Sequence, residues 1–182
     1  ELPQPATAQA ALPVQGVFAS YTTLTGVNLA DLPRAIDAEY PRAAYSPVQL
    51  PGGQTGTDVN TYYVRQRLEQ VFGVAGVGWR IVPMPGIGTV DRRQEKRQSK
   101  TREYTVWVVT LLMWQFEYVL LTPEPVWFAL SVMSDAHENE DEGYAARGAM
   151  SSLTKQAVRL LGGFDHFTIG GNAAKFKDGT RA

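Results

Sequence analysis

Arg147, Ser151, Lys155 and Arg159 recur at steps of four along "GYAARGAMSSLTKQAVRLLGGF", residues 143–164. On a helix, positions four apart lie on one face, so these residues form a stripe of three cations and a hydroxyl. Such a stripe suits a row of phosphates, because arginine presents a planar fork of donors and lysine a compact, mobile charge. Exposed helix faces carry the same residue types without any ligand. The stripe therefore gains meaning only if other cations stand beside it.

A second set exists in "DRRQEKRQSKTRE", residues 91–103. Arg92, Arg93, Lys96, Arg97, Lys100 and Arg102 face Asp91, Glu95 and Glu103, a local surplus of three. Its place between two expected strands makes it a projecting hairpin or loop. Together the hairpin and the helix would line a groove for a phosphate backbone; the plain alternative is a solvated turn. Tyr104, Trp107, Trp114, Phe116, Tyr118 and Trp127 are interleaved nearby. They offer either surfaces for base stacking or ordinary core and interface packing.

Other chemistry is weakly represented. "SDAHENEDEG", residues 134–143, collects Asp135, His137, Glu138, Glu140, Asp141 and Glu142. One histidine among carboxylates without tight spacing reads as an acidic loop before a helix more readily than as a metal site. His166 follows Asp165 but has no candidate nucleophile at a recognisable spacing. "PGIG" and "PGGQTG" lack the lysine and the strand-to-helix setting of a phosphate loop. No cofactor site is expected, and no enzymatic activity.

The 182 residues suit one domain with extensions, 44% hydrophobic and 19% charged, with a formal charge of −1. This charge excludes a uniformly basic nucleic-acid binder but not a locally basic one. There are no cysteines, which removes disulfides, thiolate zinc sites and cysteine nucleophiles and fits a reducing compartment. No apolar run reaches the ~20 residues that span a bilayer. The start lacks the pattern of a signal peptide, and the chain begins without methionine, as a trimmed chain does.

The elements that must position these residues follow from periodicity and breakers. Residues 1–27 read as an Ala/Pro-rich arm, 28–165 as the folded domain and 166–182 as a tail. A short helix is expected after Asn28, ending before Pro41, and "SPVQLPGGQTGTD" reads as a loop. A clearer helix, with Val64, Leu68, Val71 and Phe72 on its inner face, is closed by Gly73. "GWRIVPMP" is a short strand with Trp79 in the core. "TREYTVWVVTLLMWQFEYVLL" would reach about 70 Å as one strand, so a bulge or bend is expected inside it. "VWFALSVMS" follows as its antiparallel partner. The last helix should bury Ala146, Met150, Leu153, Ala157 and Leu160, with Asp141 and Glu142 at its positive end. The fold class is α+β: an antiparallel meander covered by helices.

Two motifs in this order resemble the single-strand annealing proteins of the Rad-fifty-two recombination family and its bacterial and phage relatives. "YYVRQRLEQVFGVAGVGWRI" is similar to the family's helix, glycine turn and Gly-Trp strand. "GYAARGAMSSLTKQAVRLLGGF" is similar to its later helix, with a meander between. The similarity covers about Leu29 to Phe164. It implies a β-β-β-α core, a homo-oligomeric ring and single-stranded DNA held in a groove around it, with Lys155 and Arg159 as phosphate contacts. Gln156 stands where the family has a second basic residue, and Tyr63 or its neighbour replaces one on the earlier helix. The resemblance also implies a protein of DNA repair that needs neither cofactor nor membrane, expected in the cytoplasm of a bacterium or phage-infected host and associated with the nucleoid, with an organelle left open.

Annealing of this kind requires no covalent step. A cationic groove lowers the mutual repulsion of two strands and keeps base edges accessible, and pairing drives the rest. On this reading the helix holds one strand, and the Arg92 to Arg102 hairpin recruits a second. Two other classes stay open: an assembly protein whose aromatic strands build a homo-oligomer, and a metal-dependent nuclease on the acidic segment.

Overall fold

A computed structural model describes residues 20–49, 53 and 55–163. Most of the expected N-terminal arm, and the whole C-terminal tail with His166, lie outside the described residues. In chain order the elements are β1 (Thr22–Thr23), a 3-10 turn (Leu29–Asp31), α1 (Leu32–Asp37), a second 3-10 turn (Arg42–Ala44), β2 (Tyr45–Gln49) and β3 (Thr55–Val59). Then come α2 (Thr61–Phe72), β4 (Trp79–Pro83), β5 (Thr89–Gln98), β6 (Glu103–Leu121), β7 (Pro125–Asn139) and α3 (Glu142–Leu160). The chain is mixed α+β with antiparallel strand pairing, as expected.

β6 is the spine of the sheet. Along one edge it pairs with β5 (Gln98 opposite Glu103 through Thr89 opposite Leu112), then β4 (Pro83 opposite Trp114 through Trp79 opposite Tyr118), then β1. β7 takes the other edge. β4 and β5 thus form one interrupted lane, and the lanes β4/β5, β6 and β7 make a meander that α3 follows.

The expected break in the long strand is present. Leu112 and Met113 of β6 together face Ser134 of β7, and Met113 has a φ of 58°. Its N–H donates to Ser134 Oγ at 3.1 Å, and its carbonyl accepts from Met84 N–H at 2.9 Å. An extra residue bends a strand and increases its twist. That lets 19 residues of β6 wrap the core instead of overshooting it.

α2 buries Val64, Leu68, Val71 and Phe72 as its spacing predicts, and Asn60 caps it by accepting from Tyr62 N–H at 2.9 Å. Phe72, Phe116 and Trp79 form the aromatic centre, with ring centroids 5.6 Å and 5.9 Å from Phe116. The turn between α2 and β4 passes close to the helix end: a Cβ at Gly78 would stand 1.9 Å from the Phe72 carbonyl oxygen. This accounts for a glycine before Trp79.

Three expectations are corrected. α3 buries Ala145, Ala149, Leu153, Thr154, Ala157 and Val158, while Ala146 and Met150 are half-buried and Leu160 is 51% exposed. Leu153 and Ala157 face inward as expected, whereas in the N-terminal half the fully buried positions are Ala145 and Ala149 and not Ala146 and Met150, which pack at the edge of the core. The reason is close approach to β7: a Cβ on Gly148 would lie 2.1 Å from the His137 ring. "SPVQLPGGQTGTD" is not a loop throughout but the two-stranded ribbon β2–β3, in register from Tyr45–Val59 to Gln49–Thr55. Pro47 is compatible with it because a two-stranded ribbon is all edge. The acidic segment is likewise no loop, for β7 runs to Asn139 and pairs Asp135, His137 and Glu138 with Leu111, Val109 and Val108. Glu138 finds Arg97 across the sheet and Asp135 finds Gln156 on α3, which offsets the low strand preference of the segment.

Asp141 and Glu142 do start α3, with Asp141 accepting from Tyr144 N–H at 2.9 Å. Asn28 precedes the first 3-10 turn but makes no capping bond with its side chain.

Candidate nucleic-acid interface

Because α3 turns Ala149, Leu153 and Ala157 inward, its stripe of Arg147, Ser151, Lys155 and Arg159 runs along a flank. The flank borders two hollows that meet at Ser151. The larger, about 670 Å³, lies between α2 and α3 over the start of β4. Arg65 of α2 and Arg147 of α3 line it from opposite walls, and both are exposed. Neither has an ion-pair partner among the described residues. Arg147 donates from Nε to the Gly143 carbonyl at 3.3 Å, and its guanidinium lies 4.6 Å from the Tyr144 ring centroid.

Tyr62 stands on the α2 wall with 61% of its surface exposed. Its hydroxyl accepts from Gln66 Nε2 at 2.7 Å, and its ring meets that of Tyr63 edge-on at 5.3 Å. These contacts fix an aromatic face at the mouth of a groove that holds unpaired arginines. Arg80 also borders the groove, but its guanidinium turns away to Glu117 at 2.5 Å and to the Trp127 ring at 4.2 Å. Glu69 is the acidic residue on the lining.

The smaller hollow, about 380 Å³, holds Lys155, Arg159, Asp58, Asp135 and His137. Lys155 is not free: Nζ donates to both carboxylate oxygens of Asp58 at 2.7 Å. Gln156 donates from Nε2 to Asp135 Oδ2 at 2.9 Å. Arg159 is exposed, with no ion pair among the described residues.

The hairpin is real but balanced. Arg92 pairs with Glu142 at 3.4 Å, Lys96 with Glu103 at 3.3 Å and Arg102 with Glu140 at 2.7 Å. Glu95 sits between Arg93 and Arg97, at 2.6 Å from each, and Arg97 also meets Glu138 at 2.8 Å. Hydrogen bonds from Arg93 and Arg97 hold the Glu95 carboxyl below its usual value of 4.5. Donating to Glu138 and Glu95 in turn raises the Arg97 guanidinium further. This ladder lies opposite Val106 and Val108 in the β5–β6 register, and both valines are buried. The long stems serve as a lid on apolar surface. Glu138, Glu140 and Glu142 cancel the surplus of three that the hairpin carries alone. Lys100, in the turn, is exposed and has no ion pair among the described residues.

The expected cations are therefore not one set. Arg147, Lys155 and Arg159 line the two joined hollows, whereas Arg92, Arg93, Lys96, Arg97 and Arg102 belong to the charge-balanced sheet. Among the described residues no three His, Asp or Glu side chains stand close enough to share a metal ion. Asp135, Glu138, Glu140 and Glu142 have the partners just named. Of the aromatics, Phe116 and Tyr118 are core, Tyr104, Trp107 and Trp114 are half-buried, and Trp127 is exposed.

Arg65 and Tyr62 were missed by sequence reasoning. Their signal was the polar face of α2, opposite Val64 and Leu68. No protein-family model and no curated protein matches this chain. No helix among the described residues is long and apolar enough to cross a membrane.

Proposed function

We propose that this protein binds single-stranded DNA along the flank of α3 and, as a homo-oligomer, anneals complementary strands. The observation that carries the reading is the groove between α2 and α3, where unpaired Arg65 and Arg147 face each other beside the exposed ring of Tyr62. Cations that track a backbone, combined with an aromatic face for an unstacked base, are the general means of binding single strands without sequence preference. Arg159 continues the line past Ser151. The hairpin, being neutral in sum, is not part of this site in our reading, and no second strand is assigned to it.

Oligomerisation is supported by the sheet. Among the described residues no strand pairs with the outer edge of β7 or with that of β4 and β5; only a one-residue bridge from Ala75 to Trp79 covers the start of β4. Val126, Trp127 and Phe128 on β7 are 38–43% exposed. Long edges with exposed apolar residues invite pairing with another chain. Joining the β7 edge of one copy to the β4/β5 edge of the next is a head-to-tail contact, which closes into a ring if the rotation allows. Many weak groove sites in register would then supply the avidity that one nearly neutral subunit lacks.

The test is a native-mass measurement with and without a labelled oligothymidylate, combined with binding at several salt concentrations. The proposal expects an oligomer whose affinity falls with salt. An oligomer that ignores the oligonucleotide at low salt would favour the assembly reading instead, and a concentration-independent monomer would remove the ring.

A further inference from the structure

Lys155, on the middle of the basic flank, is the one residue of its stripe that meets a carboxylate among the described residues. Its partner, Asp58, lies 97 residues earlier in the sequence, on β3. Both carboxylate oxygens stand 2.7 Å from Nζ, and that carboxylate has no other partner among the described residues. The side chains of Lys155 and Asp58 keep 19% and 30% of their surface in water. The pair is thus open enough to exchange partners and shielded enough to form. Ser151, Ser152 and Arg159 share the hollow, and the second carboxylate there, Asp135, is engaged by Gln156. His137 completes its charged or titratable lining.

Two anionic oxygens on one ammonium are also what a phosphodiester presents. We infer that Asp58 is an intramolecular stand-in for a phosphate, so that Lys155 joins the DNA contact only when an incoming phosphate displaces the Asp58 carboxylate. This rests on the reading of the α3 flank as a DNA groove and adds a regulation to it. The exchange is close to balanced: Lys155 keeps an anionic partner throughout, and Asp58, already part-exposed, turns to water. What remains is the repulsion between Asp58 and the arriving phosphate, which weakens this end of the groove relative to the Arg65–Arg147 end. A strand loads first beside Tyr62, and the Lys155 end stays easily vacated, which suits a protein that must release its paired product.

The experiment is a double-mutant cycle on the full chain with Asp58→Asn, Lys155→Ala and both together. Circular dichroism and native mass would verify that each variant keeps its fold and assembly. Asparagine keeps the shape of aspartate and removes its charge. Asp58→Asn should bind oligothymidylate more tightly, by roughly threefold or more, with a salt slope steeper by about 0.7, the value of one added phosphate contact. Lys155→Ala should cost less binding in the wild-type background than in the Asp58→Asn background, where it should abolish the gain. Equal or weaker binding by Asp58→Asn at an unchanged slope overturns the inference, as does an equal cost of Lys155→Ala in both backgrounds. A second probe, inorganic tripolyphosphate, separates this from the groove reading. If the wild-type chain binds no oligonucleotide, the groove reading falls. Tripolyphosphate binding gained by Asp58→Asn and lost again in the double variant would still support the stand-in, and no gain would overturn it.

Discussion

Gly148 of α3 rests directly against the imidazole of His137 on β7, so closely that a Cβ at position 148 would lie 2.1 Å from the ring. This contact sets the depth of α3 on the sheet and hence the height of Ser151 and Lys155 above it. Gly148→Ala gains about 1 kcal/mol in helix preference but must push the ring or the helix aside, an overpacking cost of about 1–3 kcal/mol. We expect net destabilisation in urea unfolding, and recovery when His137→Ala is added. Additive losses in the double variant would show that the contact does not set the helix position.

Tyr62 should carry base stacking. Tyr62→Ala is expected to weaken oligothymidylate binding by about thirtyfold, which is ~2 kcal/mol, the middle of the ~1–3 kcal/mol range for one stacked base. Tyr62→Phe loses only the hydroxyl held by Gln66 and should stay within about threefold of wild type. Anisotropy with normal and abasic oligonucleotides measures this. An abasic strand bound as tightly as a normal one would remove the stacking role.

The groove and the hairpin should differ in their salt behaviour. Arg65→Ala and Arg147→Ala should each weaken binding to a similar degree for all sequences and flatten the salt slope by about 0.7. Replacing Arg92, Lys96, Lys100 and Arg102 by glutamine should change single-strand affinity much less, since all but Lys100 already meet acids. A larger loss from the hairpin set than from the groove pair would reverse this assignment.

Two groups give the stability a pH dependence of opposite sign. Glu95 has a folded pKa below its ordinary value of 4.5, because Arg93 and Arg97 donate to it. Its contribution is present above that ordinary value and is lost as pH falls through the lower folded value. Tyr40 is pushed up from 10.0 to about 12, chiefly by burial. Its contribution is present below pH 10.0 and is lost as pH rises toward about 12. Glu95→Gln should flatten the acid limb of a stability profile and Tyr40→Phe the alkaline limb, each leaving the other limb as it was.

What the sequence determined by itself is local. The inner face of α2 follows from the spacing of Val64, Leu68 and Val71, and the cap at Asp141 from the residue type at a helix start. The break in β6 follows from a β-pattern too long for one small domain. Each is set by neighbours within a few residues, where backbone geometry and apolar period act directly. On α3 the spacing finds Leu153 and Ala157 but not Ala145 and Ala149, because Ala146 is as apolar as Ala145 and Met150 more so than Ala149, and only contact with β7 decides between such adjacent stripes. Charge was the least legible property. Arg97 and Glu138 are 41 residues apart in sequence, and Lys155 and Asp58 are 97. A local count sees a basic hairpin and a basic helix. Folding brings the acids of β7 and α3 onto the hairpin and Asp58 onto Lys155, while Arg65 and Arg147 meet no acid among the described residues and line one groove. Coulomb interactions depend on distance in space and not along the chain, so the tertiary structure alone decided which cations stand free for a ligand.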